Sequence, residues 1–163
     1  MAESLNRFLP DPAATTEFGA SLARAVRAVK PDRLVLYLTG QLGAGKTALT
    51  RAVLAGLGHQ GRVPSPTYTL VEPYSITGYR LVHVDLYRLE NLADVDDLAL
   101  SDYLAEAPGI GILLFVEWPE RGIGRLPAAD LRCHLTLAEP SGRQVELQAA
   151  SSIGQGVLDA LRQ

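Results

Sequence analysis

Apolar positions along this chain fall into runs of two kinds, and their alternation predicts a layered α/β fold. Leu34-Val35-Leu36-Tyr37-Leu38 and Ile110-Gly111-Ile112-Leu113-Leu114-Phe115-Val116 are short, nearly unbroken apolar runs, the pattern of parallel strands covered on both faces. Elsewhere the spacing is helical. Phe18, Leu22, Val26 and Val29 make one face of a helix that follows Asp11-Pro12, an N-cap with proline at the first helical position, and stops at Pro31. Leu49, Ala52, Val53 and Leu57 repeat the pattern before Gly58. Leu5 to Leu9 fits a short edge strand, and Leu70 to Ile76 and Arg80 to Asp85 fit two strands joined by a Thr77-Gly78 turn. An acidic stretch with Glu90, Asp94, Asp96 and Asp97 predicts a helix whose inward residues are Leu92, Val95 and Leu98, broken at Pro108-Gly109. From Leu131 the pattern becomes strict alternation. Leu131, Cys133, Leu135 and Leu137, then Val145, Leu147 and Ala149 after Pro140-Ser141-Gly142, predict an antiparallel hairpin with one buried face. Ile153, Val157, Leu158 and Leu161 close with a helix.

Composition narrows the class. At 163 residues, with 47% hydrophobic and 20% charged, one domain over 1–163 is expected. The longest apolar stretch is far below membrane-spanning length and the N-terminus lacks a signal-peptide layout, so no membrane association and a cytoplasmic location are expected. The single cysteine, Cys133, excludes an internal disulfide and reads as a small buried residue. His59, His83 and His134 are scattered, with no metal cluster of Cys/His type. A net charge of −3 disfavours a protein built mainly to bind nucleic-acid phosphates. Arg24 and Arg27, on the outer face of the first helix, read as solvated surface before they read as an RNA patch.

The chemistry begins between the first buried strand and the helix after it. Gly40-Gln41-Leu42-Gly43-Ala44-Gly45-Lys46-Thr47 fits G-x-x-x-x-G-K-[ST] at every position. A polyphosphate is best held by converging backbone N–H groups, which needs glycines free to take positive φ and a helix N-terminus. The expected nucleotide contacts are Gly40, Leu42, Gly43, Ala44, Gly45, Lys46, Thr47 and Ala48, with Lys46 on the β- and γ-phosphates and Thr47 on Mg²⁺. Adenine is preferred over guanine: Lys30 and Lys46 are the only lysines, and Val29 and Gly45 before them exclude an Asn-Lys-x-Asp element. In the stiff loop Arg62-Val63-Pro64-Ser65-Pro66-Thr67, Thr67 is the candidate γ-phosphate sensor and Ser65 the second choice, against a plain proline-rich turn. Asp85 and Glu117 close their strands, where ligands sit in open α/β sheets. One acid is expected to hold Mg²⁺ and the other to orient the attacking water. Glu117 is favoured as the metal-side acid because its strand better matches a Walker B strand, and an unpaired buried carboxylate would call for a metal partner.

Four blocks taken together, the glycine loop, Ser65-Pro66-Thr67-Tyr68-Thr69-Leu70-Val71, His83-Val84-Asp85-Leu86-Tyr87-Arg88-Leu89 and Glu117-Trp118-Pro119-Glu120, resemble the TsaE (YjeE) family over residues 40 to 120. The resemblance implies a three-layer α/β/α fold of P-loop NTPase type, with a mostly parallel central sheet and an antiparallel C-terminal hairpin. It implies ATP hydrolysis in support of threonylcarbamoyladenosine formation in transfer RNA, with the two-subunit TsaB–TsaD enzyme as partner and any contact with transfer RNA weak or indirect. By motif match, Thr67, Asp85, Glu117 and Trp118 join Lys46 and Thr47 as active-site positions. The family usually has an acid where Gln41 stands. The competing readings are a P-loop small-molecule kinase, for which Arg121 and Arg125 are the only lid-like pair, and a nucleotide-dependent binding module with negligible turnover.

Overall fold

Parallel pairing around one central strand organises the computed structural model, which describes residues 2–163. In chain order the elements are β1 (Ser4–Leu9), α1 (Pro12–Val29), β2 (Arg33–Thr39), α2 (Lys46–Gly56), β3 (Val71–Ile76), β4 (Tyr79–Asp85), α3 (Asp94–Asp97), α4 (Leu100–Tyr103), β5 (Gly111–Glu117), β6 (Leu131–Ala138), β7 (Gly142–Ala149) and α5 (Ser152–Arg162). The sheet is seven-stranded, in the order β1-β7-β6-β2-β5-β4-β3. β6, β2, β5 and β4 are mutually parallel, while β3, β7 and β1 pair antiparallel with their neighbours. The fold is therefore mixed α/β with a parallel middle and antiparallel edges.

The unbroken apolar runs are the middle of this sheet because both faces are covered. On one face Leu34, Leu36, Leu38, Leu113 and Phe115 pack with α1, α2 and α5. Local chemistry sets the limits of α1: the Asp11 carboxylate accepts from the Ala14 N–H at 2.8 Å, and Lys30 takes a left-handed conformation (φ 52°) and donates to the Val26 carbonyl. Arg27 is exposed on α1 and is also tied to the fold. It donates to the Leu57 carbonyl and lies 5.8 Å from the Tyr79 ring centroid.

The second face, Val35, Val82, Val84, Leu114 and Val116, is covered by Leu86, Leu89, Val95 and Leu100 from the connection between β4 and β5. Here the expected helix is corrected. The acidic stretch forms two single turns, α3 and α4, because Ala99 at φ 51° turns the chain between them, and Leu92 is exposed instead of inward. The hairpin departs from its expected burial near its tip: Leu131, Cys133 and Leu135 are buried, whereas Leu137 is half exposed. Burial pushes the Cys133 thiol up to about 12, so it packs and does not react.

α1 and α2 approach closely through small residues. A Cβ on Gly19 would run into Ala52 and come within 3.0 Å of the Val53 backbone nitrogen. Alanine is otherwise favoured over glycine in a helix by roughly 1 kcal/mol, but here overpacking, at about 1–3 kcal/mol, outweighs propensity. Gly19→Ala is therefore expected to lower the urea midpoint without changing the m-value. A rise in the midpoint would show that the two helices separate freely.

Candidate functional site

The carboxyl ends of β2, β5 and β4 lie side by side. Register sets Leu38 opposite Glu117 and Glu117 opposite Asp85, so both carboxylates stand beside the loop that leaves β2. That loop turns on Gly40 (φ 140°), Gly43 (φ 80°) and Gly45 (φ 108°). A side chain at Gly40 would meet the Leu135 carbonyl. Gly45 starts α2 with no side-chain cap, which leaves N–H groups of the first helical turn available to a ligand.

Lys46, 4% exposed, folds back over the loop. Its Nζ donates to the Gly40 carbonyl at 2.5 Å and the Gln41 carbonyl at 2.9 Å, and lies 4.4 Å from the Trp118 ring centroid. Burial holds its pKa below the ordinary lysine value, opposed by the charges of Glu117, Asp85 and Glu120. It makes no ion pair among the described residues.

The carboxylates are not unpaired as the sequence led us to expect. Glu117 accepts from the Thr47 hydroxyl at 2.8 Å and from His83 Nε2 at 2.5 Å. Asp85 accepts from the Thr67 hydroxyl at 3.0 Å and from the Tyr87 N–H at 2.9 Å, and Thr67 is itself 2.8 Å from Ser65 Oγ. Partners from α2, β4 and the loops before β3 and after β4 therefore give both acids hydrogen bonds within the chain. His83 is fully buried with no partner for Nδ1. Because an orphaned N–H at Nδ1 would cost more than an orphaned lone pair in the same place, we assign its proton to Nε2, facing Glu117.

Leu42, Gly43, Gly45, Lys46, Thr47, Ala48, Thr67, Asp85, Glu117 and Trp118 all line one cavity of about 310 Å³, joined there by Ser65, Tyr87 and Arg143. Two expected positions stand apart. Ala44 has its methyl buried in the core, and Gly40 contributes a carbonyl to Lys46. A second cavity of about 390 Å³, between α1, α2 and the β6–β7 turn, shares Gly45, Ala48 and Arg143 with the first. A more spacious hollow, about 1030 Å³, sits at the other end of the sheet around Arg33, Gly78 and Ile112 and holds none of these groups. Arg121 and Arg125 are engaged elsewhere, on the Leu89 carbonyl and on Asp96. Among the described residues no set of three or more His, Cys, Asp or Glu side chains converges on a metal site. Thr47 beside a single carboxylate fits Mg²⁺, which takes one or two protein ligands and completes its shell with phosphate oxygens and water.

Sequence reasoning missed His83 and Arg143. His83 had a usable signal, since it stands two residues before Asp85 in a buried strand and must share its face. Arg143 had none, because only the fold brings the hairpin to the glycine loop.

Strand order and pairing define a mixed α/β protein built on one seven-stranded sheet, parallel in the middle and antiparallel at its edges, with the glycine loop and two strand-end acids at the carboxyl ends of its parallel strands. Residues 9–145 match the family described as "Threonylcarbamoyl adenosine biosynthesis protein TsaE", and the chain belongs to that family. It is 38% identical over 159 residues to the tRNA threonylcarbamoyladenosine biosynthesis protein TsaE of Haemophilus influenzae, covering 97% of this chain and 98% of that one. It is 41% identical over 126 residues to the Synechocystis protein of the same name, covering 77% and 76%. The crystal structure of Bacillus subtilis YdiB superposes with a TM-score of 0.76 at 26% identity, over 99% of this chain and 96% of that one. The family is one of transfer-RNA threonylcarbamoyladenosine biosynthesis, and no helix among the described residues is long and apolar enough to cross a membrane.

Because Glu117 depends on two donors, His83→Leu is expected to destabilise the fold by about 2–3 kcal/mol, the worth of a hydrogen bond to a buried charge. Adding Glu117→Gln should cost less on that background than in the wild type. Full additivity in the double-mutant cycle would show that the two side chains are not coupled.

Proposed function

We propose that this chain is a Mg²⁺-dependent ATPase that hydrolyses ATP slowly by itself and acts as a switch on the TsaB–TsaD complex during threonylcarbamoyladenosine synthesis. One observation carries the reading: the Thr47 hydroxyl bonds Glu117 2.8 Å away at the mouth of a glycine-turned loop whose lysine has no acidic partner. That is the arrangement a polyphosphate and its counter-ion complete.

In this reading the loop N–H groups and the start of α2 receive the β- and γ-phosphates. Lys46 leaves the carbonyls of Gly40 and Gln41 for phosphate oxygens. Thr47 and Glu117 would hold Mg²⁺, whose contribution is to neutralise charge on the β- and γ-phosphate oxygens. Asp85, on the other side of Glu117, positions the attacking water, with Thr67 between it and the terminal phosphate. Thr67 is suited to report whether that phosphate is present, because its hydroxyl can leave Asp85 for a phosphate oxygen. The adjoining cavity between α1 and α2 takes the nucleoside. A protein that offers a phosphate site and a sensor loop would influence modification through a partner whose affinity differs between its ATP and ADP states.

Lys46→Ala should keep the fold and lose most ATP affinity or turnover, checked by calorimetry and phosphate release. Unaltered binding in the folded variant would end the nucleotide reading. Thr67→Ala should bind ADP almost normally while hydrolysis falls; a parallel loss of ADP affinity would make the residue a loop brace only. For the partner role, the chain with ATP should turn limited modification by TsaB–TsaD, threonylcarbamoyl-adenylate and transfer RNA into repeated turnover, and Lys46→Ala or Glu117→Ala should not. Equal multiple-turnover yield with those variants would refute the coupling.

A further inference from the structure

The C-terminal hairpin delivers one cation to the glycine loop, and nothing in the family resemblance or the motif accounts for it. Arg143 stands at the start of β7, opposite Leu137 of β6 and Leu9 of β1. Its Nη2 donates to the Gly43 carbonyl at 3.3 Å, and its Nη1 donates to the carbonyls of Gly142 at 3.0 Å and Ser141 at 3.3 Å. Its Nε lies 3.7 Å from where a side chain on Gly45 would begin. No carboxylate pairs with it among the described residues. A guanidinium held only by carbonyls keeps its full charge and has N–H donors to spare.

Lys46 is held in the same manner, by loop carbonyls and without an acid. Two cations thus flank one loop, each resting on carbonyls that a stronger acceptor would replace. Their positions differ. Lys46 shares its cavity with Thr47 and Glu117, whereas Arg143, with Gly45 and Ala48, forms the wall common to that cavity and the neighbouring one between α1 and α2. A nucleotide with its terminal phosphates beside Lys46 and its nucleoside in the second cavity must pass this wall with its first phosphate.

We propose that Arg143 is a nucleotide ligand that binds the α-phosphate, so that the antiparallel hairpin is part of the binding site as well as of the sheet. This rests on the nucleotide reading above, and its chemistry is charge-assisted hydrogen bonding from guanidinium to a phosphate oxygen. Because ATP and ADP share the α-phosphate, the contact does not discriminate between them. It sets affinity for both, while Thr67 faces the group that distinguishes them.

The test measures binding of ATP, ADP and the two diastereomers of ADP carrying sulfur on the α-phosphate, using wild type, Arg143→Ala, Arg143→Lys and Lys46→Ala. Arg143→Ala is expected to weaken ATP and ADP by the same factor, about 10- to 100-fold, and Arg143→Lys to recover part of the loss. One sulfur diastereomer should bind the wild type more weakly than ADP does, and that penalty should vanish in Arg143→Ala. Persistence of the full sulfur penalty in Arg143→Ala would overturn the contact, because the arginine would then act only by bracing Gly43. A loss confined to ATP would overturn the α-phosphate assignment. Arg143→Ala within twofold of wild type, with Lys46→Ala impaired, would reject the proposal and leave the ATPase reading standing; failure of the wild type to bind either nucleotide would reject both.

Discussion

Parallel register across β2, β5 and β4 is the constraint on which the rest depends. It brings Glu117 beside the end of β2 and Asp85 beside Glu117, so that two acids from strands far apart in sequence meet a loop from a third. A shift of one residue in β5 would turn Glu117 to the opposite face of the sheet and away from Thr47. Both faces of these strands are buried in apolar layers: Leu34, Leu36, Leu38, Leu113 and Phe115 face α1, α2 and α5, while Val35, Leu114 and Val116 face the other layer. The chemistry at the strand ends is thus held in place by hydrophobic burial below it.

Burying polar groups there is costly, and the site meets that cost with internal partners. Lys46, His83, Asp85 and Glu117 are each less than 5% exposed. Glu117 has Thr47 and His83, Asp85 has Thr67 and Tyr87, and Lys46 has two carbonyls. Thr47, Thr67 and Lys46 donate from rotatable side chains, whereas the Tyr87 donor is a backbone N–H and the remaining bond comes from His83. That one comes from β4, within the buried sheet, and holds Glu117 from the side of the core.

Features written in local spacing were legible in the sequence. The strand, glycine loop and helix from Leu34 to Leu57 form as their pattern predicts, because buried strands and an amphipathic helix are short-range signals. The alternation from Leu131 onward also formed its hairpin, which no motif demanded. The acidic stretch was misread for a physical reason: its apolar residues have helical spacing, but their burial is achieved by two single turns with a left-handed Ala99 between them, and tertiary packing overrode propensity. Partner choice at the site was not legible either. Both acids could be placed at strand ends from sequence, yet nothing local says that Thr47 and His83 converge on one and Thr67 on the other.

The two loops around the cavity differ in how firmly they are held. The glycine loop is anchored by β2 before it, α2 after it, Lys46 across it and Arg143 against its Gly43 carbonyl. The loop carrying Thr67 is tied less densely. Leu70 sits at φ 68° and Tyr68 is 80% exposed, and the loop is tied by the bond from Thr67 to Asp85, by the Asp85 N–H to the Leu70 carbonyl and by Arg51 to the Val63 carbonyl. Segments with few buried contacts open at lower free energy than those packed on the core. A change at the cavity is therefore expected to displace the Thr67 loop before the glycine loop. In the ATPase cycle proposed above, affinity and response would fall to different parts of the chain: the rigid side, reinforced by the hairpin, would hold the nucleotide in either state, and the looser side would change its shape with the state. A switch needs this division, because a loop that held the ligand and also moved with its hydrolysis would release it at each turn.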